Sequence, residues 1–323
     1  MIEITEIQKS FGDKHAVDGI SFRVEEGEIL GFLGPNGAGK STTLNIITGY
    51  LSADSGTVKI DGTDILEDPI KAKRSIGFLP EIPPLYLEMT VWEYLCFVYD
   101  LKDCRLPRKQ HIKEICDVVK IWDVSKRLIK NLSKGYRQRV GIAQALIGNP
   151  KVLIFDEPTI GLDPRQIVEI RNLIRMLGKE HTIILSTHIL PEVQSVCDRI
   201  VVINKGKVVA DEKTEDLVNA VDGTRKLIAK VVGPEEEVLR TLRGIGGVKS
   251  VDTIGKRDTD SVSYLIESQE RIDVRKPLFY TLSSKGWPLV GLEGMELNLE
   301  DIFMRLVGKE KDESGRARKA GRQ

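Results

Sequence analysis

The chain has 323 residues, 41% hydrophobic and 30% charged, which gives room for about two domains with ordinary cores. Lys plus Arg and Asp plus Glu are both 48, which excludes a global field drawing the protein to nucleic acid or anionic lipid. No apolar run approaches the ~20 residues of a membrane-spanning helix, and the opening Met1-Ile2-Glu3-Ile4-Thr5-Glu6 lacks a basic start and apolar stretch, so a cytosolic location is expected.

From Ile2 to about Ala210, strands alternate with helical stretches, as in an α/β domain with a largely parallel sheet. Ile29 to Leu33, Val152 to Phe155, Ile183 to Ser186 and Ile200 to Ile203 are short apolar runs bounded by polar or turn residues, the mark of buried strands. The first of these, read from Glu28, leads into Gly34-Pro35-Asn36-Gly37-Ala38-Gly39-Lys40-Ser41-Thr42, which fits G-x-x-x-x-G-K-[ST], and a helical run follows. This pattern predicts a phosphate-binding loop. Gly34, Gly37 and Gly39 let backbone N–H groups turn inward, Lys40 reaches the outer phosphates, the Ser41 hydroxyl is placed for Mg²⁺, and the positive helix end points to the same spot.

Next come Gly77-Phe78-Leu79-Pro80-Glu81 and the exposed-looking apolar run Ile82 to Met89, a plausible docking surface for a partner helix. Residues from Thr90 to Ile147 carry helical periodicity. Val91, Tyr94, Leu95 and Val98 share one face, and Ile112, Ile115, Val118 and Val119 another, which predicts an inserted helical subdomain. The four cysteines, Cys96, Cys104, Cys116 and Cys197, form no C-x-x-C pair and read as reduced structural residues. Leu132-Ser133-Lys134-Gly135-Tyr136 places a serine and a glycine at an expected helix start, again suited to phosphate oxygens.

The strand from Val152 to Phe155 delivers two carboxylates to its polar end. Asp156 is placed to bind Mg²⁺ and Glu157 to polarise an attacking water as general base, the alternative being a helix-start cap. Beyond Lys213 the order is strand (Leu227 to Val232), helix (Glu235 to Leu242), strand (Val248 to Ile254), strand (Ser261 to Glu267), helix (Val274 to Lys285) and strand (Leu289 to Leu292). This βαββαβ order predicts a small ferredoxin-like α+β domain, with a boundary near Ala220 to Gly223 and a last helix from Leu299 to Val307. The expected division is 1–220, with the helical subdomain at about 90–147, then 221–308, then a polar, disordered tail at 309–323.

With its phosphate loop, Ser133 and Gly135, and Asp156-Glu157 in that order, the chain resembles the ATP-binding subunits of ABC transporters, whose signature usually reads Leu-Ser-Gly-Gly-Gln. Lys134 and Tyr136 depart from that signature. The resemblance implies a P-loop NTPase of ABC type binding ATP and Mg²⁺, in a head-to-tail dimer where Ser133 and Gly135 act on the partner's nucleotide. It also implies that Gly161-Leu162-Asp163 crosses the dimer interface, that His188 is the switch histidine near the γ-phosphate, and that Phe11 stacks on adenine. A packed or exposed role for His188 and a core role for Phe11 are the competing readings. Glu81 stands where the family has a glutamine contacting Mg²⁺ or water, unless it merely faces solvent.

The C-terminal part looks like that of ABC-2-type exporter ATPases, and Glu81 with Ile82-Pro83-Pro84-Leu85-Tyr86-Leu87 is similar to the gliding-motility-type subgroup, a sequence label only. The expected protein is therefore an ATPase subunit at the inner face of the cell membrane, paired with a second copy and with integral membrane permease subunits, and without nucleic acid. Two rivals are a soluble ABC-type ATPase acting on nucleic acid or ribosomes and a nucleotide-sensing regulatory module. The first is disfavoured because the stretch from Thr42 to Ser133 is too short for a long coiled coil and only one phosphate loop is present. The second is disfavoured by the intact Lys40, Asp156, Glu157 and His188.

Overall fold

The computed structural model describes residues 1–216, 226–256, 260–269 and 272–295. Contacts divide the chain into two units, Met1–Thr214 and Glu215–Gln323. The expected boundary at Ala220 to Gly223, the helix from Leu299 to Val307 and the tail at 309–323 lie outside the described residues.

The first unit holds two sheets, and this corrects the expectation of one largely parallel sheet. Strands β1 (Ile2–Phe11), β2 (Lys14–Val24), β4 (Ser55–Ile60) and β5 (Thr63–Asp64) form an antiparallel sheet in the order β2-β1-β4-β5. Alternation along β1 is broken because Glu6 takes a left-handed φ of +49° and the register shifts between Ile4 and Ile7. A one-residue irregularity of this kind moves later side chains to the opposite face, so no simple period survives to be read.

The second sheet runs β10-β9-β3-β8-β7-β6. It is built from β3 (Ile29–Leu33), β6 (Ile76–Leu79), β7 (Val152–Asp156), β8 (Thr182–Thr187) and β9 (Arg199–Asn204), all parallel, with β10 (Lys207–Lys213) antiparallel at the edge. Strands β3, β7 and β8 are buried along their whole length, which is why they read as uninterrupted apolar runs. One core joins both sheets to α1 (Lys40–Ile47), with Ile4, Ile20, Phe22, Phe32, Leu44 and Ile184 among its members. Each such buried side chain contributes about 1.5–3 kcal/mol. Helix α7 (Leu190–Val196) packs onto the sheet where Gly31 has no Cβ, since a Cβ there would fall 2.1 Å from Val193 Cγ1.

The middle of the chain is helical, with α2 (Pro69–Arg74), α3 (Val91–Leu101), α4 (Arg108–Val118) and α5 (Lys134–Leu146). Helix α3 starts in a capping box: Thr90 Oγ1 accepts from Glu93 N–H at 3.2 Å, and Glu93 Oε2 accepts from Thr90 N–H at 2.8 Å. Its predicted face of Val91, Tyr94, Leu95 and Val98 is buried. On α4 the prediction needs correcting, because Ile112 and Ile115 are buried whereas Val118 is 38% exposed near the helix end. The last carbonyls of α5 have no partner within the helix. Lys102 supplies three donors in their place, reaching Gln144 O, Ala145 O and Ile147 O at 3.1, 3.2 and 2.9 Å. Helix α6 (Pro164–Leu177) follows β7 and is capped by Asp163, whose Oδ1 accepts from Gln166 N–H at 2.9 Å.

The second unit comprises β11 (Lys226–Val231), α8 (Glu235–Arg243), β12 (Val248–Lys256), β13 (Val262–Ser268), α9 (Arg275–Ser284) and β14 (Leu289–Met295). Its sheet runs β12-β13-β11-β14 with every neighbouring pair antiparallel. Leu227, Ala229, Val231, Tyr264 and Ile266 on one face of this sheet share a core with Val238, Leu242, Leu278 and Leu282 of the two helices. Among the described residues, no helix is long and apolar enough to cross a membrane.

Candidate nucleotide and hydrolysis site

The loop between β3 and α1 is shaped by two glycines that no other residue could replace without moving backbone. A Cβ on Gly34 would fall 2.4 Å from Ile203 O. Gly39, with φ at +108°, would place one 2.4 Å from Ala16 O. The loop is closed by Ala38 N–H donating to Pro35 O at 3.1 Å and by Gly206 N–H donating to Ala38 O at 2.9 Å. Lys40 opens α1 and is buried, so its ammonium needs partners. It donates to Gly34 O at 2.8 Å and Pro35 O at 3.4 Å, and it lies 3.6 Å from Glu157 Oε1.

Asp156 ends β7 and Glu157 follows it at φ +49°, a left-handed conformation uncommon for a residue with a side chain. The Glu157 N–H donates to Ser186 O at 2.9 Å, which fixes that turn against the end of β8. The Asp156 carboxylate accepts from Ser186 Oγ at 2.8 Å. His188 Nδ1 lies 2.9 Å from both oxygens of the Glu157 carboxylate. The cap reading for this acid pair is excluded, because neither residue stands at a helix start and α6 is capped by Asp163 instead.

Of these groups, Gly39, Lys40, Glu157 and His188 face a cleft of about 440 Å³ lined also by Phe11, Lys14, Ala16, Asn36, Gly37, Ser41, Thr42, Glu81 and Ile160. Phe11 is 54% exposed at this cleft, not part of the core, and Lys9 Nζ stands 5.9 Å from its ring centroid. Glu81 is exposed and lines the same cleft. Gly34, Pro35 and Ala38 shape the loop from behind without lining it, and Asp156 sits buried beneath. The ammonium groups of Lys14 and Lys40, the hydroxyls of Ser41 and Thr42, the carboxylates of Glu81 and Glu157 and the His188 imidazole line this one cleft, a set of groups that fits a triphosphate and its metal ion.

Ser133, Gly135 and Asp163 are not brought to this cleft within one chain. Ser133 caps α5, its Oγ 3.4 Å from Tyr136 N–H. Gly135 lies against Gln166, whose Cδ would be 2.6 Å from a Cβ there. The two departures from the usual signature have local partners. Tyr136 Oη donates to Asp123 Oδ2 at 3.3 Å, and Lys134 Nζ fills the space where a Cβ on Gly161 would fall, 2.2 Å away. The sequence reading missed Lys14, Ala16 and Ile160, of which the first two come from β2, a strand whose role in the cleft has no local signature.

A family model described as "ABC transporter" matches residues 17–160. The chain is 33% identical over 313 residues to the linearmycin resistance ATP-binding protein LnrL of Bacillus subtilis (strain 168), covering 96% of this chain and 99% of that one. It is 32% identical over 319 residues to the Nod factor export ATP-binding protein I of Paraburkholderia xenovorans (strain LB400), covering 96% and 97%. Among solved structures, the dimeric post-hydrolysis state of the ATP-binding cassette MJ0796 bound to ADP and Pi matches with a TM-score of 0.61 and 27% identity, covering 66% of this chain and 99% of that one.

Proposed function

The chain belongs to the ABC transporter ATP-binding family, and on that premise we propose how its site works and what it assembles with. The protein is an ATP-hydrolysing subunit of an ABC transporter and uses ATP with Mg²⁺. Two copies pair head to tail, so that Ser133 and Gly135 of one copy and the Gly34-to-Thr42 loop of the other enclose each nucleotide, with Asp163 crossing between them. The pair sits on the inner face of the membrane, bound to integral permease subunits. Export is the direction favoured by the resistance and export relatives.

The carrying observation is the convergence of Lys40, Ser41, Glu157 and His188 on one cleft. Lys40 and the loop N–H groups neutralise charge on the transferring phosphoryl group. Glu157 takes the proton of the attacking water, while His188 holds the carboxylate in place through Nδ1. Phe11 offers a ring for the base to stack on. Ser41 and Asp156 would hold Mg²⁺, with Glu81 at the cleft edge, and the ion would supply further charge neutralisation when bound.

For the domain organisation, residues 1–220 form the ATP-binding domain with its helical subdomain at about 90–147, and residues 221–308 form a ferredoxin-like accessory domain. The antiparallel strand order β12-β13-β11-β14, with a helix in each crossover, supports that accessory fold. The dimer is tested by light scattering of the full chain carrying Glu157→Gln, with and without millimolar ATP. Doubling of mass with ATP is expected, and a chain that stays monomeric at saturating ATP overturns the head-to-tail arrangement.

A further inference from the structure

Glu192 is 2% exposed on α7, and none of the roles above uses it. Its two carboxylate oxygens are taken by two different segments, the turn that follows β7 and the last residue of β8. Oε1 accepts from Thr159 Oγ1 at 2.7 Å, and Oε2 accepts from Thr187 Oγ1 at 3.0 Å. Arg171 Nη2 on α6 stands 4.0 Å from Oε1. Thr159 lies two residues after Glu157 and Thr187 one residue before His188. Thr187 Oγ1 also accepts from Ile189 N–H at 3.1 Å, so the backbone on both sides of His188 is fixed by one hydroxyl.

A carboxylate buried this deeply loses its hydration, and here two hydroxyl donors and the nearby Arg171 guanidinium replace it. What the carboxylate adds is geometry: two acceptor oxygens at fixed separation hold two loops that share no backbone ladder beyond Ser186. Helix α7 is itself located by Val193 seated over Gly31, so the carboxylate has a rigid mount. We propose that Glu192 is a positioning residue that locks the Glu157 turn and the His188 loop to each other through Thr159 and Thr187, setting the 2.9 Å contact between imidazole and carboxylate. This rests on the reading of Glu157 and His188 as the hydrolytic pair. Because Thr159 also begins the turn toward Gly161 and Asp163, displacement of that turn by a partner subunit is passed to His188 by the same strut.

The test uses the full chain and separates nucleotide affinity from turnover. Glu192→Gln keeps the shape but replaces one acceptor by a donor, and Thr187→Val removes one hydroxyl at constant volume. Each is expected to lower kcat about ten-fold or more, since misplacement of a reacting group by ~1 Å costs up to about a hundred-fold. The Kd for ATP stays within about two-fold, and Thr187→Ser recovers most of the rate. In a His188→Ala background Glu192→Gln causes no further loss, because the contact it sets is already gone. Wild-type kcat in both Glu192→Gln and Thr187→Val overturns the proposal, as does a loss that multiplies with that of His188→Ala, the pattern of a merely structural role. If Glu157→Gln and His188→Ala themselves hydrolyse ATP at wild-type rates, the catalytic reading fails first and this inference falls with it.

Discussion

His188 Nδ1 contacts both oxygens of the Glu157 carboxylate at 2.9 Å, while Lys40 Nζ approaches the same carboxylate to 3.6 Å. The carboxylate is buried and held between an imidazole and an ammonium, at a residue whose backbone is itself in a left-handed conformation. A position so constrained is costly to build and fits a group that must meet a reacting atom at a set place.

Glu157→Gln therefore keeps ATP binding and loses turnover. The amide preserves volume and can still contact His188, but it cannot take a proton from water. A fall in kcat on the order of 10²–10⁴-fold is expected, with Kd for ATP little changed. Single-turnover and steady-state rates at saturating Mg·ATP check this, and near-normal hydrolysis would remove Glu157 from the role of base.

The composite site makes a second prediction. Lys40→Ala and Ser133→Arg chains are each inactive alone, yet a hybrid dimer holds one undamaged site. With equal amounts and random pairing, roughly a quarter of wild-type turnover per chain should return on mixing. If hybrids form, as shown by differently tagged copies, and no activity returns, then Ser133 does not act on the partner's nucleotide or the two sites cannot fire independently.

The residues legible in the sequence are those whose chemistry is contiguous. Gly34 to Thr42 and Asp156-Glu157 announce themselves because a turn, a helix start and a strand end each need particular residue types in a row. Lys14 and Ala16 reach the cleft from β2, 18 or more positions before the loop that opens at Gly34, and apart from Phe11 nothing in their neighbourhood marks them. Thr159, Thr187 and Glu192 form a site only after β7, β8 and α7 have packed, and singly each is an ordinary polar residue. The antiparallel sheet escaped for a backbone reason. Glu6 at φ +49° breaks the alternation of β1, so the period that would identify it is lost. Val118 fits the apolar period of α4 yet stays exposed at the helix end, because periodicity gives a direction and not the length over which a neighbour covers it.

Lys102 gives a pH signature for the helical part. Burial pushes its ammonium down to about 8 from the ordinary lysine value of 10.5. The unfolded chain then binds more protons than the folded one between those two values, so stability rises with pH across that window and the cost of the buried charge is fully present below it. The slope is at most about 1.4 kcal/mol per pH unit. Denaturant unfolding of wild type and Lys102→Met at a series of pH values isolates this contribution. The stability difference, wild type minus variant, should grow between pH 8 and 10.5. A difference that is flat or shrinks with rising pH would show that Lys102 stays protonated on its three carbonyls.

Glu81 tests how the cleft edge treats the metal ion. It is exposed and lines the same cleft as Lys40, Ser41 and Glu157, at a position where the resembling family carries a neutral amide. A carboxylate a few ångströms from a divalent ion changes the ion's binding by an amount that survives a high effective dielectric. Removing that charge in Glu81→Gln should raise the Mg²⁺ concentration for half-maximal hydrolysis several-fold, about ten-fold at most once solvent screening is included. The ATP dependence at saturating Mg²⁺ should change much less, because the substitution is isosteric and no phosphate contact is lost. If the Mg²⁺ titration is unchanged but transport by the reconstituted complex falls, Glu81 contacts the permease instead, together with its exposed neighbours Ile82, Tyr86 and Leu87. If both are unchanged, its carboxylate faces solvent and takes no part in the site.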